Sequence, residues 1–141
     1  MVINKDAFVM ICGLPNSGKT TFSQQFNNVI HLDDISSAEG QSHMLTICQL
    51  ISEAKNDICI EGVFIIAQYR KMLVQSTNKQ KKICIWLNTP LEECIKRENR
   101  GRTSFILQNC FNFFEPPTLD EGWDEIIIIN NENDIQHIKK E

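Results

Sequence analysis

The chain has 141 residues, of which 42% are apolar and 23% charged, with a formal net charge of −4; this suits one soluble domain, 1–141, built around a single core. No apolar stretch approaches the ~20 residues needed to cross a bilayer, and the start MVINKDAF has no signal-peptide pattern, so the protein reads as cytoplasmic. The acidic balance disfavours broad, non-specific coating of nucleic acid, although three of the four arginines, Arg97, Arg100 and Arg102, fall within six residues.

Ala7 to Cys12 is a continuous apolar run, as expected of a strand buried on both faces. Helical spacing follows from Lys19 and stops at Asn27-Asn28. Val29 to Leu32 reads as a second strand, ending in Asp33-Asp34. Met44, Ile47, Cys48, Ile51 and Ala54 then trace one face of a helix over Ser42 to Ala54, and Ser36 with Glu39 forms a possible cap ahead of Gly40. DICIEGVF supplies a third strand, Ile66 to Gln75 a helix, and Lys82 to Leu87 a fourth strand. Thr89-Pro90-Leu91-Glu92 predicts a capping box and a helix through Arg100, stopped at Gly101. Ser104 to Phe114 is a further helix, closed by Pro116-Pro117. DEIIIIN is a last strand, and the polar tail, about 131–141, reads as a frayed helix. The alternation predicts an α/β fold, a parallel sheet of about five strands with helices on both faces. The six cysteines fall in strands and helices with no C-x-x-C pair, and read as reduced thiols.

Gly13-Leu14-Pro15-Asn16-Ser17-Gly18-Lys19-Thr20 matches the phosphate-binding pattern G-x-x-x-x-G-K-[ST] in full. Glycines let backbone N–H groups turn inward on a phosphate, Lys19 reaches the β- and γ-phosphates, and the Thr20 hydroxyl suits Mg²⁺. The loop lies after a buried strand and before a helix, as the motif requires, so ATP with Mg²⁺ is the expected ligand pair. The D-x-x-G and N-K-x-D signatures of GTPase switches are absent. A motor ATPase needs more length, although Glu61 does end strand three. A small kinase fits better, needing a carboxylate for the hydroxyl proton and an arginine for the transferring phosphoryl group.

Strand alternation lets only one of Asp33 and Asp34 face the phosphate loop. KRENRGR, Lys96 to Arg102, reads as a lid, about 90–114, with Arg100 and Arg102 flanking a Gly101 hinge and Arg97 beside them. Arg70 is equally a surface residue, Trp86 and Trp123 read as core, and the three histidines receive no role.

With these segments the chain resembles the kinase domain of 5′-hydroxyl polynucleotide kinases, within the small P-loop kinases. GLPNSGKTTF is similar to the family's phosphate loop and first helix, which brings Thr21 into the nucleotide site. IHLDDIS is similar to its strand-two segment, where the first Asp is the general base, implying Asp33. KRENRGR is similar to its lid, implying Arg100 as the lid arginine. FEPPTLDEGWDEI, Phe114 to Ile126, resembles a stretch of the animal-type domains. Ser36 stands where phage-type enzymes carry an arginine, and Gly62-Val63-Phe64 where the family often shows Asp-x-Asn. The resemblance thus implies phosphoryl transfer from ATP to the 5′-hydroxyl of DNA or RNA. A small-molecule hydroxyl (nucleoside, sugar or antibiotic) and an ATP-binding regulatory module are the alternatives.

Overall fold

The computed structural model describes residues 6–35 and 43–141. Ser36, Glu39, Gly40 and Ser42, which carry the expected cap and start of the helix after the Asp pair, lie outside the described residues.

Strand β1 (Ala7–Gly13) is buried along its whole length, and its two faces feed two cores. Phe8, Met10 and Cys12 pack with Ile47, Ile51, Leu73 and Trp123, whereas Ala7, Val9 and Ile11 pack with Phe22, Phe26, Ile83 and Ile85. Such alternation is what a sheet covered on both faces requires. Each fully buried Phe, Ile or Met contributes roughly 1.5–3 kcal/mol.

In chain order there follow α1 (Lys19–Ser23), β2 (Val29–His31), α2 (His43–Glu53), β3 (Ile58–Glu61), α3 (Ala67–Ser76), β4 (Lys81–Leu87), α4 (Leu91–Lys96), α5 (Ser104–Phe113), β5 (Glu125–Asn131) and β6 (Asp134–Lys139). The sheet order is β2-β3-β1-β4-β5-β6, parallel from β2 to β5 and antiparallel only at β6. With β3 on one side of β1 and β4 on the other, the carboxyl end of β1 is a switch point of the kind where ligands bind. The register sets Glu61 beside both Ile11 and His31, and Gly13 beside Leu87. Four strand ends therefore meet along one edge.

Three expectations are corrected. The tail is a strand: β6 pairs with β5 from Asn131–Asp134 to Glu125–Lys139. Ile135 and Ile138 have helical spacing, but the hairpin ladder satisfies backbone groups that a short exposed helix leaves open. Helix α4 stops at Lys96, not Arg100, and has no capping box, because Pro90 holds the cap position and the Thr89 hydroxyl donates to Ser17 O at 2.8 Å.

Arg70 is also not a surface residue; it is fully buried. Its guanidinium donates to both carboxylate oxygens of Glu121 at 2.9 Å and to the carbonyls of Phe64 and Glu115 at 2.6 Å. Glu121 accepts a further bond from Trp123 Nε1 at 3.0 Å. The 114–126 segment thereby gains a physical account: Arg70 fastens it to the loop after β3. Trp123 stacks on Phe8 and Trp86 on Phe114, so both tryptophans serve packing. All six cysteines are free. Among the described residues, no helix is long and apolar enough to cross a membrane.

Candidate active site

The phosphate loop begins where β1 ends. A Cβ built on Gly13 would meet Ser17 Oγ at 2.6 Å and Leu87 O at 2.7 Å, so the turn closes only without a side chain. Gly18, at φ 101°, caps the start of α1, and Asn16 is also left-handed at φ 68°. Amides in the first turn of a helix have no intrahelical acceptor and favour an anion.

Above this turn opens a cavity of about 490 Å³. Its floor is Pro15, Asn16 and Gly18 to Thr21; its walls are Asp33, the Gly62-Val63 loop, and Arg97, Asn99, Arg100 and Arg102. The structure thus brings together Lys19, Thr20, Thr21, Asp33 and all three clustered arginines. Gly13, Leu14 and Ser17 lie behind this surface. Leu14 packs with Cys94 and Leu107, seating the phosphate loop on α4 and α5. Ser17 Oγ is buried with no partner among the described residues.

Asp33 and Asp34 are sorted differently from expectation. Both lie in a single 3₁₀ turn, Leu32–Asp34, after β2 has ended, so strand alternation does not apply. The turn nonetheless puts only Asp33 on the cavity wall.

Lys19 is buried, and its ammonium donates to Leu14 O at 2.7 Å. Burial pushes its pKa down, opposed chiefly by the nearby Glu61 carboxylate. Glu61, at the end of β3, is buried as well. Its Oε1 lies 2.8 Å from His31 Nδ1 and accepts the Thr20 hydroxyl at 3.4 Å. A hydroxyl and a carboxylate side by side are hard oxygen donors of the kind Mg²⁺ takes alongside nucleotide phosphates. The residues present fit that ion.

On the side of the clustered arginines, Glu98 accepts from Asn16 Nδ2 at 2.8 Å, from the amides of Arg100 and Arg102, and from Arg102 Nε at 2.9 Å. These bonds, the Asn16 amide first among them, hold its carboxyl down at about 2. Sequence reasoning gave no role to His31, Asn16's side chain or Glu98. The Glu98–Arg102 spacing of four was visible, but Gly101 between them obscured it as a helical pair.

No protein-family model matches the chain, and no curated protein matches it. Solved structures do match. A gluconokinase from Sinorhizobium meliloti 1021 superposes with a TM-score of 0.67 at 14% identity, covering 91% of this chain and 84% of that one. Kti12 from Chaetomium thermophilum, in complex with ADP-AlF3, gives 0.64 at 15% identity with 90% of each chain covered. A fungal RNA kinase gives 0.59 at 12% identity, covering 94% of this chain and 78% of that one. The chain has the fold of the small P-loop kinases.

Proposed function

We propose that this protein is an ATP-dependent kinase that transfers the γ-phosphoryl group to the 5′-hydroxyl of a polynucleotide. The observation that carries the phosphotransferase reading is the shared cavity, which Lys19, Thr20, Asp33 and Arg100 line together. Phosphoryl transfer through a loose transition state asks for positioning and charge compensation more than covalent chemistry. In this reading the loop from Gly13 to Thr20, with Thr21, holds the triphosphate. Asp33 orients the acceptor hydroxyl and takes its proton, and Arg100 offsets the charge that develops on the transferring group. Thr20 and Glu61 would hold Mg²⁺, which neutralises phosphate charge when bound. An adjoining cavity of about 590 Å³, lined by Gly18, Thr21, Thr89, Arg97, Asn130 and Glu132 among others, suits the nucleobase. The six unpaired cysteines agree with a cytoplasmic setting.

The polynucleotide acceptor is supported by the resemblance of the Asp33, lid and 114–126 segments, and by the fold match to an RNA kinase. A second acceptor class, a small-molecule hydroxyl, is favoured by the net charge of −4 and the gluconokinase match. Transfer from labelled ATP to a panel of 5′-hydroxyl DNA and RNA oligonucleotides, nucleosides and sugars separates them. Labelled oligonucleotide, with an affinity that falls steeply as salt rises, is expected. Labelling confined to small alcohols overturns the acceptor, and no product from any acceptor overturns the kinase.

A further inference from the structure

We infer that Asn16 and Glu98 act together as positioning residues, docking the arginine-bearing loop 97–103 on the phosphate loop so that Arg100 alone is left free for the phosphoryl group. The role of Arg100 rests on the kinase reading above; the docking itself does not.

Asn16 occupies a motif position whose side chain the phosphate-binding pattern leaves open. That side chain is turned to the lid, and both ends of its amide are used. Nδ2 donates to Glu98 Oε1 at 2.8 Å and to Cys94 O at 3.0 Å, while Oδ1 accepts from Arg102 Nη2 at 2.9 Å. The Asn16 carbonyl accepts from Arg97 Nη1 at 3.2 Å. Glu98 completes the circuit. Its Oε1 also accepts from Arg102 Nε at 2.9 Å, and its Oε2 accepts the amides of Arg100 at 2.9 Å and Arg102 at 3.1 Å.

The three arginines therefore divide their work. Arg102 and Arg97 spend guanidinium donors on Asn16, and on Glu98 and Glu93 respectively. Arg100 has its backbone held by Glu98, yet among the described residues its guanidinium has no side-chain or carbonyl partner, and it lines the phosphate cavity. Gly101, at φ 82° with open space around it, lets the chain turn between the free arginine and the anchored one. An acid on one side and an amide on the other is what makes the contact work. Two acids would repel, and two amides would lose the charge that draws in Arg102.

The test is a double-mutant cycle with two readouts. Asn16→Asp and Glu98→Gln each break the acid–amide match with little change in volume. Made together, they rebuild the 16–98 hydrogen bond with donor and acceptor exchanged, while the Cys94 carbonyl loses its donor. In nucleotide-free protein, each single variant should speed amide exchange at Arg100 and Arg102 about tenfold, and the double variant should restore part of the protection. With the acceptor found in the labelling panel, each single variant should lower kcat by up to ~10²-fold, with KM for ATP little changed in Glu98→Gln, because the lost alignment matters in the transition state. The double variant should recover part of that loss. Unchanged exchange in both single variants overturns the docking. Losses that merely add in the double variant overturn the pairing of Asn16 with Glu98. Faster exchange with unaltered kcat overturns the positioning of Arg100. If the parent phosphorylates nothing, the kinase reading fails, and the exchange cycle still decides the docking.

Discussion

Arg70 Nε and Nη2 each donate to a separate oxygen of Glu121 at 2.9 Å, and both side chains are buried. A buried ion pair repays its desolvation only when the remaining donors and acceptors are satisfied. Here the Phe64 and Glu115 carbonyls and the Thr118 amide complete the set. Glu121→Gln should therefore cost about 3–5 kcal/mol, since it strands the guanidinium charge in the core. The replacement of both residues together, Arg70→Met with Glu121→Leu, should cost less than that single change. Urea unfolding at constant m-value measures each, and a parental midpoint for Glu121→Gln would reduce the pair to the rank of a surface bridge.

Asp33→Asn should retain ATP binding and lose turnover by about 10²–10⁴-fold, the usual share of a general base. Asp34→Asn should stay near the parental rate, because its side chain in the same 3₁₀ turn does not reach the cavity wall. Calorimetric ATP titration beside steady-state rates separates binding from chemistry. Equal losses in the two variants would remove Asp33 from its assigned role.

His31 orients Glu61 from outside the phosphate cavity. Groups that orient a metal-holding carboxylate are commonly worth at least tenfold in metal affinity. His31→Phe should raise the Mg²⁺ concentration for half-maximal velocity by about tenfold. His31→Asn, whose amide can take the place of Nδ1–H, should retain most of the parental response. A Mg²⁺ titration of both variants decides it, and identical curves would make the contact incidental.

The Glu98 carboxyl moves from an ordinary 4.5 to about 2, with the Asn16 amide as the leading cause. Above pH 4.5 the group is charged in both folded and unfolded chains, and its contribution to folding is fully present. That contribution is lost as pH falls from 4.5 through 2, where the unfolded chain takes up the proton first. A ¹³C carboxyl titration should place the midpoint near 2 in the parent and nearer 4.5 in Asn16→Ala. A parental midpoint at 4.5 would mean that the Asn16 contact does not persist in solution.

What the sequence disclosed follows from how local each feature is. The phosphate loop was legible because one octapeptide both builds the turn and supplies Lys19 and Thr20. Arg70 was not, because its partners at 115 and 121 come from beyond strand β4 and helices α4 and α5. Thr89 misled for a related reason: its hydroxyl had the right local acceptor pattern, but a carbonyl 72 residues away competed for it. Asp33 was assigned to the site by resemblance while the geometric argument given for it, strand alternation, did not hold, since β2 ends two residues earlier. The tail was misread because exposed Ile135 and Ile138 carry no burial signal to distinguish a strand from a frayed helix.

The reversed direction of β6 has a practical side. Lys139 lies beside Glu125, and the Lys140 amide bonds to Asp124 O, at the amino-terminal edge of the parallel strands. Asp6 O meets the Lys81 amide along that same edge. A seven-residue strand such as β1 spans about 20 Å, so both of these chain positions sit a full sheet-width from the cavity mouth. Tethers, labels or immobilising groups attached next to either one would hang from the base of the molecule and leave the entrance clear.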